Sequence, residues 1–255
     1  MKGVFAIARR ELDAYFSAPL GWLCLCGFVG ITGVFFTLML FDYATQSTQA
    51  AMNPYMADQI NVNDWLVQPF YANAAVILLL LSPALSMRLF AEDRRQHSME
   101  LLLASPLTSW QIVLGKYLGA LGFIAVLLAG TLHYLAILFV FGDPDAGIVA
   151  ASLGATFLLA ASFMSVGMLT SAFTENQVVA LVISFGILLG LWVLSWADGM
   201  ASGTWAQVIT SVSMLTHLEQ LNRGLVHVED VVYFITFIGF FLFATWQRVE
   251  AYRWQ

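Results

Sequence analysis

Residues 88–116 read RLFAEDRRQHSMELLLASPLTSWQIVLGK. The stretch carries Arg88, Arg94, Arg95 and Lys116 together with Glu92, Asp93 and Glu100, in a chain with only 10% charged residues. Placing these charges in a bilayer would cost on the order of 20 kcal/mol, at roughly 2.5 to 3.5 per charge. The stretch therefore lies in water or at the membrane surface, although the sequence on both sides of it is strongly apolar. A charged hairpin with an apolar middle, Met99 to Leu103, needs a surface to dock against. We read it as a handle for a partner protein.

The rest of the chain sets the class. Its 255 residues are 60% hydrophobic, with a mean hydropathy of +0.81, whereas a soluble domain would carry about 25% charged residues. The composition is that of an integral membrane protein with no room for a large soluble domain. The net charge is −6, and the basic residues are not gathered into a face that would bind nucleic acid. Cys24 and Cys26 sit in one apolar run, about 200° apart on a helix, and read as structural thiols.

The chain opens with MKGVFAIARRELDAYF. At helical spacing Val4, Phe5, Ala8, Leu12, Tyr15 and Phe16 gather on one arc, opposite Lys2, Arg9, Arg10 and Asp13, the pattern of a helix lying in the membrane interface over residues 1–18. Apolar runs long enough to span follow at 20–41, 71–90, 117–141, 148–173, 178–197 and 231–246. The first is too long for a signal-peptide core, no cleavage site follows it, and it reads as a retained anchor. With six spans, one side holds both termini, the hairpin over 91–116 and the turn at Glu175. That side carries nine of the ten Lys and Arg residues, all but Arg223, which makes it cytoplasmic.

Two segments on the other side are longer than turns. Asp42 to Phe70 is polar and is expected to form a loop plus a short helix. Residues 198–230 contain TWAQVITSVSMLTHLEQLNRGLVHVED, apolar enough to dip into the outer interface, with Glu219 and Arg223 spaced to pair on one helix face. The pairs Gly115/Gly119 and Gly186/Gly190 allow close helix approach. Pro83 should kink the second span, with Ser82 and Ser86 placed to satisfy what it leaves unpaired.

Residues that could carry chemistry are few. His133 is the clearest ionisable group inside a span, and an intramembrane ionisable group is a functional candidate; its commoner role is a neutral imidazole hydrogen-bonded to a neighbouring helix. His217, Glu219 and His227 lack the spacing that puts two imidazoles on one face for a metal. Met164 and Met168 read as packing. There is no catalytic constellation and no phosphate-cradling loop, so no ATP site is expected on this chain. Thr108 and Gln111 form a capping box ahead of the third span, and Thr174 and Gln177 are expected to repeat it ahead of the fifth, with Glu175 explained by the helix dipole.

The run Met87–Asp93, then Met99–Pro106, then Trp110–Lys116, resembles the permease subunits of type-2 ABC transporters. It is most similar to the branch of gliding-motility and nitrous-oxide-reductase-maturation permeases. Residues 174–177, His217-Leu218-Glu219, Arg223-Gly224 and Asp230–Phe234 carry the same resemblance. One departure is His97-Ser98, where the family usually has Gly-Thr. The resemblance implies an all-α membrane protein of six transmembrane helices with an N-terminal interfacial helix. It also implies a cytoplasmic coupling helix between spans two and three and outer re-entrant helices between spans five and six. The coupling residues would be Glu92, Met99, Glu100, Leu101, Leu102, Leu103, Ser105 and Pro106, and the outer stretch would present His217, Glu219 and Arg223. It implies separate ATPase subunits holding ATP and Mg, none of it bound by this chain. A second permease subunit, identical or not, would complete the unit in a bacterial inner membrane, and a periplasmic accessory protein is compatible with it. An ATP-independent channel or scramblase, and an intramembrane enzyme built on His133, His217 and Glu219, are the alternatives.

Overall fold

In a computed structural model, residues 2–52, 61–104, 107–195 and 211–253 are described, and they are helical apart from short connections. Six of their helices are long and apolar enough to cross a membrane: Pro19–Ala50, Asn63–Arg95, Ser109–Phe141, Ala146–Phe173, Gln177–Leu194 and Val228–Arg253. We label the elements α1 (Lys2–Ser17), α2 (Pro19–Ala51), α3 (Gln68–Ser86), α4 (Arg88–Arg95), α5 (Ser98–Ala104) and α6 (Ser109–Ala129). The remainder are α7 (Leu132–Phe141), α8 (Ala146–Phe173), α9 (Gln177–Leu194), α10 (Met214–Asn222) and α11 (Val228–Arg253).

Two expectations about these elements are corrected, and one of the expected spans carries a break. The polar stretch after the first span is not loop from Asp42, because α2 continues to Ala51. No Gly or Pro interrupts residues 41–52, so nothing stops propagation once the helix is nucleated. A π-helical turn at Asn63–Val67 then leads into α3. The third span is two helices, broken at Gly130 and Thr131, where the Thr131 hydroxyl donates to the Leu128 carbonyl at 2.7 Å. Between α8 and α9 the cap is Asn176, whose side chain accepts from the amides of Val178 and Val179. Thr174 instead accepts from the Asn176 amide. Asn is at least as good an N-cap as Thr, and it lies next to the first helical residue.

The uninterrupted α8 is the centre of the bundle, and α3, α6, α9, α10 and α11 all pack on it. It can be central because small residues line it: Ser152, Thr156, Ala160, Ser162, Ser165 and Ser171 are fully buried. The hydroxyls among them donate to backbone carbonyls, those of Thr156, Ser162 and Ser165 within the helix and those of Ser152 and Ser171 on neighbouring elements. Gly167 faces Ser86 so closely that an added Cβ would overlap its hydroxyl. Of the glycine pairs seen in the sequence, Gly115 and Gly119 do admit a helix. That helix is α1, whose Ile7 and Glu11 Cβ atoms would each lie 2.7 Å from a Cβ added there. Gly186 and Gly190 meet nothing within 4 Å.

The face that α1 turns to the protein overlaps the arc drawn from the sequence, sharing Tyr15 with Leu12 and Phe16 packed beside it, but it is rotated toward Ile7 and Glu11. Phe5 on that arc is 75% exposed, while Ile7, Glu11 and Tyr15, spaced four apart, are buried. The helix rests on the third span along this strip and leaves Phe5 outward.

Candidate functional site

Residues from three parts of the chain meet at the base of the charged hairpin. Lys116, the residue after Gly115 and two turns into α6, is 1% exposed. Its Nζ lies 2.8 Å from Glu11 Oε1 on α1 and 2.7 Å from Asp93 Oδ2 on α4. The Arg10 guanidinium reaches the same Glu11 oxygen at 2.9 Å. The Ser98 hydroxyl donates to Asp93 Oδ1 at 2.9 Å and to the Asp93 carbonyl at 3.2 Å. A buried ammonium persists only when paired and hydrogen-bonded, and two carboxylates on two other elements supply that. Burial by itself pushes the Asp93 carboxyl up, but the Lys116 ammonium beside it and the Ser98 hydrogen bond hold it below its usual value. Lys116 thus ties α1, α4 and the third span together.

The opposite side of α4 is held by the fourth span. Ser171 Oγ accepts from the amides of Phe90 and Ala91, both at 3.0 Å, and donates to the Met87 carbonyl at 2.8 Å. Arg94 donates to the Ala172 carbonyl at 3.1 Å and pairs with Glu175 at 3.3 Å. Its guanidinium also lies 5.2 Å from the centre of the Tyr252 ring near the C-terminus. Glu175 therefore has a partner on α4 beyond any helix-dipole role. At the foot of α4 the Tyr15 hydroxyl donates to the Leu85 carbonyl at 2.9 Å, and Arg88 sits 4.3 Å over the Tyr15 ring.

The hairpin turn comes at Gln96 and His97. His97 has φ 55°, the left-handed region that glycine enters without penalty. Beyond it, Met99 on α5 is turned into the chain's own core and is 3% exposed, and Leu102 packs partly against that core. Met99 is therefore an anchor of the hairpin rather than an outward contact. Glu100 is exposed, and Glu92 accepts from the Gln96 amide at 3.2 Å. Leu101 and Leu103 lie on α5, whereas Ser105 and Pro106 fall outside the described residues. The capping box at the start of α6 is formed, with the Gln111 amide donating to Thr108 Oγ1 and the Thr108 amide to Gln111 Oε1. Pro83 has its neighbour Ser86 bonded back to the Ser82 carbonyl at 2.7 Å rather than to the Leu79 carbonyl.

At the other end of the bundle, His217 Nδ1 and Asp230 Oδ1 are 2.6 Å apart, the imidazole stacks on Tyr233 at 4.2 Å, and Tyr233 donates to the Val212 carbonyl. Asp230 is 1% exposed. Glu219 and Arg223 form no ion pair. Arg223 is the cap residue of α10, with its amide still bonded to the Glu219 carbonyl in the helical pattern. His133 is exposed against its neighbour Tyr134, with ring centres 3.7 Å apart. Among the described residues no hydrogen bond joins it to another helix, and it lies on an exposed position of α7. No three His, Cys, Asp or Glu side chains among the described residues approach as a metal site would require.

A family model described as ABC-2 family transporter protein matches residues 5–245. The chain belongs to this family of transporter permeases. It is thus a multi-pass membrane protein whose family has no catalytic activity of its own. Its curated relatives include the probable multidrug ABC transporter permease YbhR of Escherichia coli strain K12 and the protein of the same name in strain O157:H7. Each is 26% identical, with 84% of this chain and 61% of the relative covered. The ABC-2 chain described here therefore spans about three-fifths of the length of the relatives it matches. Lys116 was missed as a site residue by sequence reasoning, and the available signal was Glu11, a carboxylate in register with Ile7 and Tyr15.

Proposed function

We propose that this chain is the membrane-spanning subunit of an ATP-driven transporter, and that α4 and α5 form the coupling element on which a separate ATPase subunit docks. The observation that carries this reading is the construction of the hairpin's base. Lys116, Asp93, Glu11, Ser171 and Arg94 bind α4 to α1 and to the third and fourth spans, so a push on the exposed end is passed to the bundle. A hairpin serving only as a connection needs no such clamp. The bundle end that holds α1, the hairpin and the C-terminus carries nine of the ten Lys and Arg residues, which supports its assignment as the cytoplasmic end. On that assignment α10 and the His217–Asp230 pair lie on the outer side, as the re-entrant helix of the gliding-motility and nitrous-oxide-reductase-maturation branch would.

Closure of the ATPase pair on ATP and Mg, both bound outside this chain, would move α5 and the arm as a lever between inward- and outward-open states. Two permease subunits would enclose the pathway. The relatives' name makes apolar drug-like compounds the first cargo class to test. An open, mostly aromatic groove of about 750 Å³ beside His217, walled by Tyr233, Phe237, Phe240 and Phe241, is of a size and polarity to meet them.

The test is affinity purification of the tagged chain in mild detergent, with the associated proteins identified and ATP hydrolysis measured. Co-purification of an ATP-binding-cassette ATPase is expected, and reversal of the exposed Glu100 to Lys should lower the complex's hydrolysis severalfold without lowering the amount of chain in the membrane. A preparation with neither ATPase nor hydrolysis would instead support a channel or scramblase.

A further inference from the structure

Span two is the covalent route from the arm into the bundle, and it is weakened on the way. Pro83 offers no amide to the Leu79 carbonyl, and four residues later, at Met87, the helix is interrupted between α3 and α4. The Met87 carbonyl is the one that the Ala91 amide would reach in a continuous helix. Here it takes its hydrogen bond from Ser171 Oγ at 2.8 Å, and the same oxygen accepts from the Phe90 and Ala91 amides at 3.0 Å. A side chain of another helix has been inserted into the ladder, a recognised cause of bending. The arm is thereby joined to span four by three hydrogen bonds through one fully buried hydroxyl, reinforced by Arg94 on the Ala172 carbonyl.

Span four has no such interruption. α8 runs 28 residues without a break, about 42 Å at 1.5 Å per residue, enough to cross the bilayer. At its far end the Ser152 hydroxyl donates to the Asn222 carbonyl of α10 at 3.1 Å, and Ile148 packs against Gly224 in the turn that follows. Leu218 and Leu221 of α10 share a core with Ala155, Leu159 and Phe163 of α8.

We propose that Ser171 is a positioning residue that fastens the arm to span four, and that span four, rather than span two, carries the arm's displacement across the membrane to α10. Span two flexes at Pro83–Met87 while the arm and α8 move as one body. The inference rests on the ATP-driven reading above.

Spin labels on a background lacking Cys24 and Cys26 test it in the complex with its ATPase. One pair joins Gln96 on the arm to Ala146 at the far end of α8, and the other joins Gln96 to Val76 in span two. On trapping with ATP and vanadate, the Gln96–Ala146 distance should hold while Gln96–Val76 changes. Ser171→Ala should let the Gln96–Ala146 distance broaden and shift on trapping, and Ser171→Thr, which keeps the hydroxyl, should restore the fixed distance. In the purified permease alone, Ser171→Ala should speed exchange of the Phe90 and Ala91 amides about fivefold or more, as expected for losing one hydrogen bond, and leave α6 amides unchanged. The proposal is overturned if Gln96–Ala146 changes as much as Gln96–Val76 in the unmodified chain, or if Ser171→Ala traps like the unmodified chain despite faster exchange. Absence of any ATPase in the complex would show up before labelling and would remove the reading on which the proposal rests.

Discussion

The Lys116 ammonium is out of reach of water and is held by two carboxylates from elements 105 and 23 positions away. Removing one partner of a buried ion pair costs about 3 to 5 kcal/mol, because the other charge is left without compensation. Lys116→Met should therefore lower the thermal midpoint of the permease in detergent by the equivalent of about 3 kcal/mol, toward the low end because Asp93 and Glu11 keep some solvent contact. Combining it with Glu11→Gln and Asp93→Asn should recover most of that loss, and a triple variant no more stable than the single one would show that the cluster is not the cause. The sign of the pH dependence follows from Asp93. Its carboxyl is held below its usual value, so its stabilisation is present above an unfolded pKa of about 3.9 and is lost as pH falls through the lower folded value. The difference in midpoint between the unmodified chain and Asp93→Asn should stay constant from about pH 5.5 to 8 and shrink only below about pH 4. His97 is a separate case. A non-glycine residue at φ 55° is disfavoured by roughly 1–2 kcal/mol, part of which glycine gives back through its larger unfolded-state entropy. His97→Gly should raise the midpoint by less than about 1 kcal/mol equivalent, while His97→Val, β-branched, should lower it.

At Gly115 and Gly119 a glycine meets the backbone of another helix, and at Gly186 and Gly190 it does not, which separates the two glycine pairs. A side chain at Gly119 would have to displace the Ala8 carbonyl oxygen at 2.7 Å, so Gly119→Leu should lift α1 from the third span. A cysteine placed at Ile7, buried in the unmodified chain, should become reactive to maleimide in that variant. Gly190→Leu, with open space around it, should leave the Ile7→Cys thiol protected. The elements themselves were legible because the signals are local: about 20 apolar residues make a span, and Thr108 with Gln111 makes a cap within four residues. What failed to read needed partners remote in sequence or a choice between near-equals. Asn176 and Thr174 are both able caps, and only the actual turn selects Asn176. The arc through Phe5 is the apolar one at helical spacing, whereas the covered strip Ile7–Glu11–Tyr15 carries a carboxylate, and the third span's glycines and Lys116 decide that it is covered. Ser171 gave no signal among the many serines of a small-residue helix, since its role depends on a gap in a ladder 80 residues earlier.

Across the whole molecule, charge and architecture make one testable claim about direction. The helices bring α1, the hairpin, the turn at Glu175 and the C-terminal end of α11 to the same end of the bundle, as the contacts of Lys116 with Glu11, Arg94 with Glu175 and Arg94 with Tyr252 require. The same end holds every Lys and Arg except Arg223. Positive residues in short loops are retained on the cytoplasmic side during insertion, and a single misplaced arginine next to α10 is too little to reverse that bias. The direction can be read with single cysteines on a background lacking Cys24 and Cys26, one at Gln96 in the hairpin turn and one at Val226 in the exposed turn between α10 and α11. In intact cells with a permeable outer envelope, a membrane-impermeant maleimide should label Val226→Cys and leave Gln96→Cys unlabelled. After the membrane is opened with detergent both should react. Labelling of Gln96→Cys in intact cells would place the hairpin outside, where no ATP is available, and would remove the docking role assigned to it.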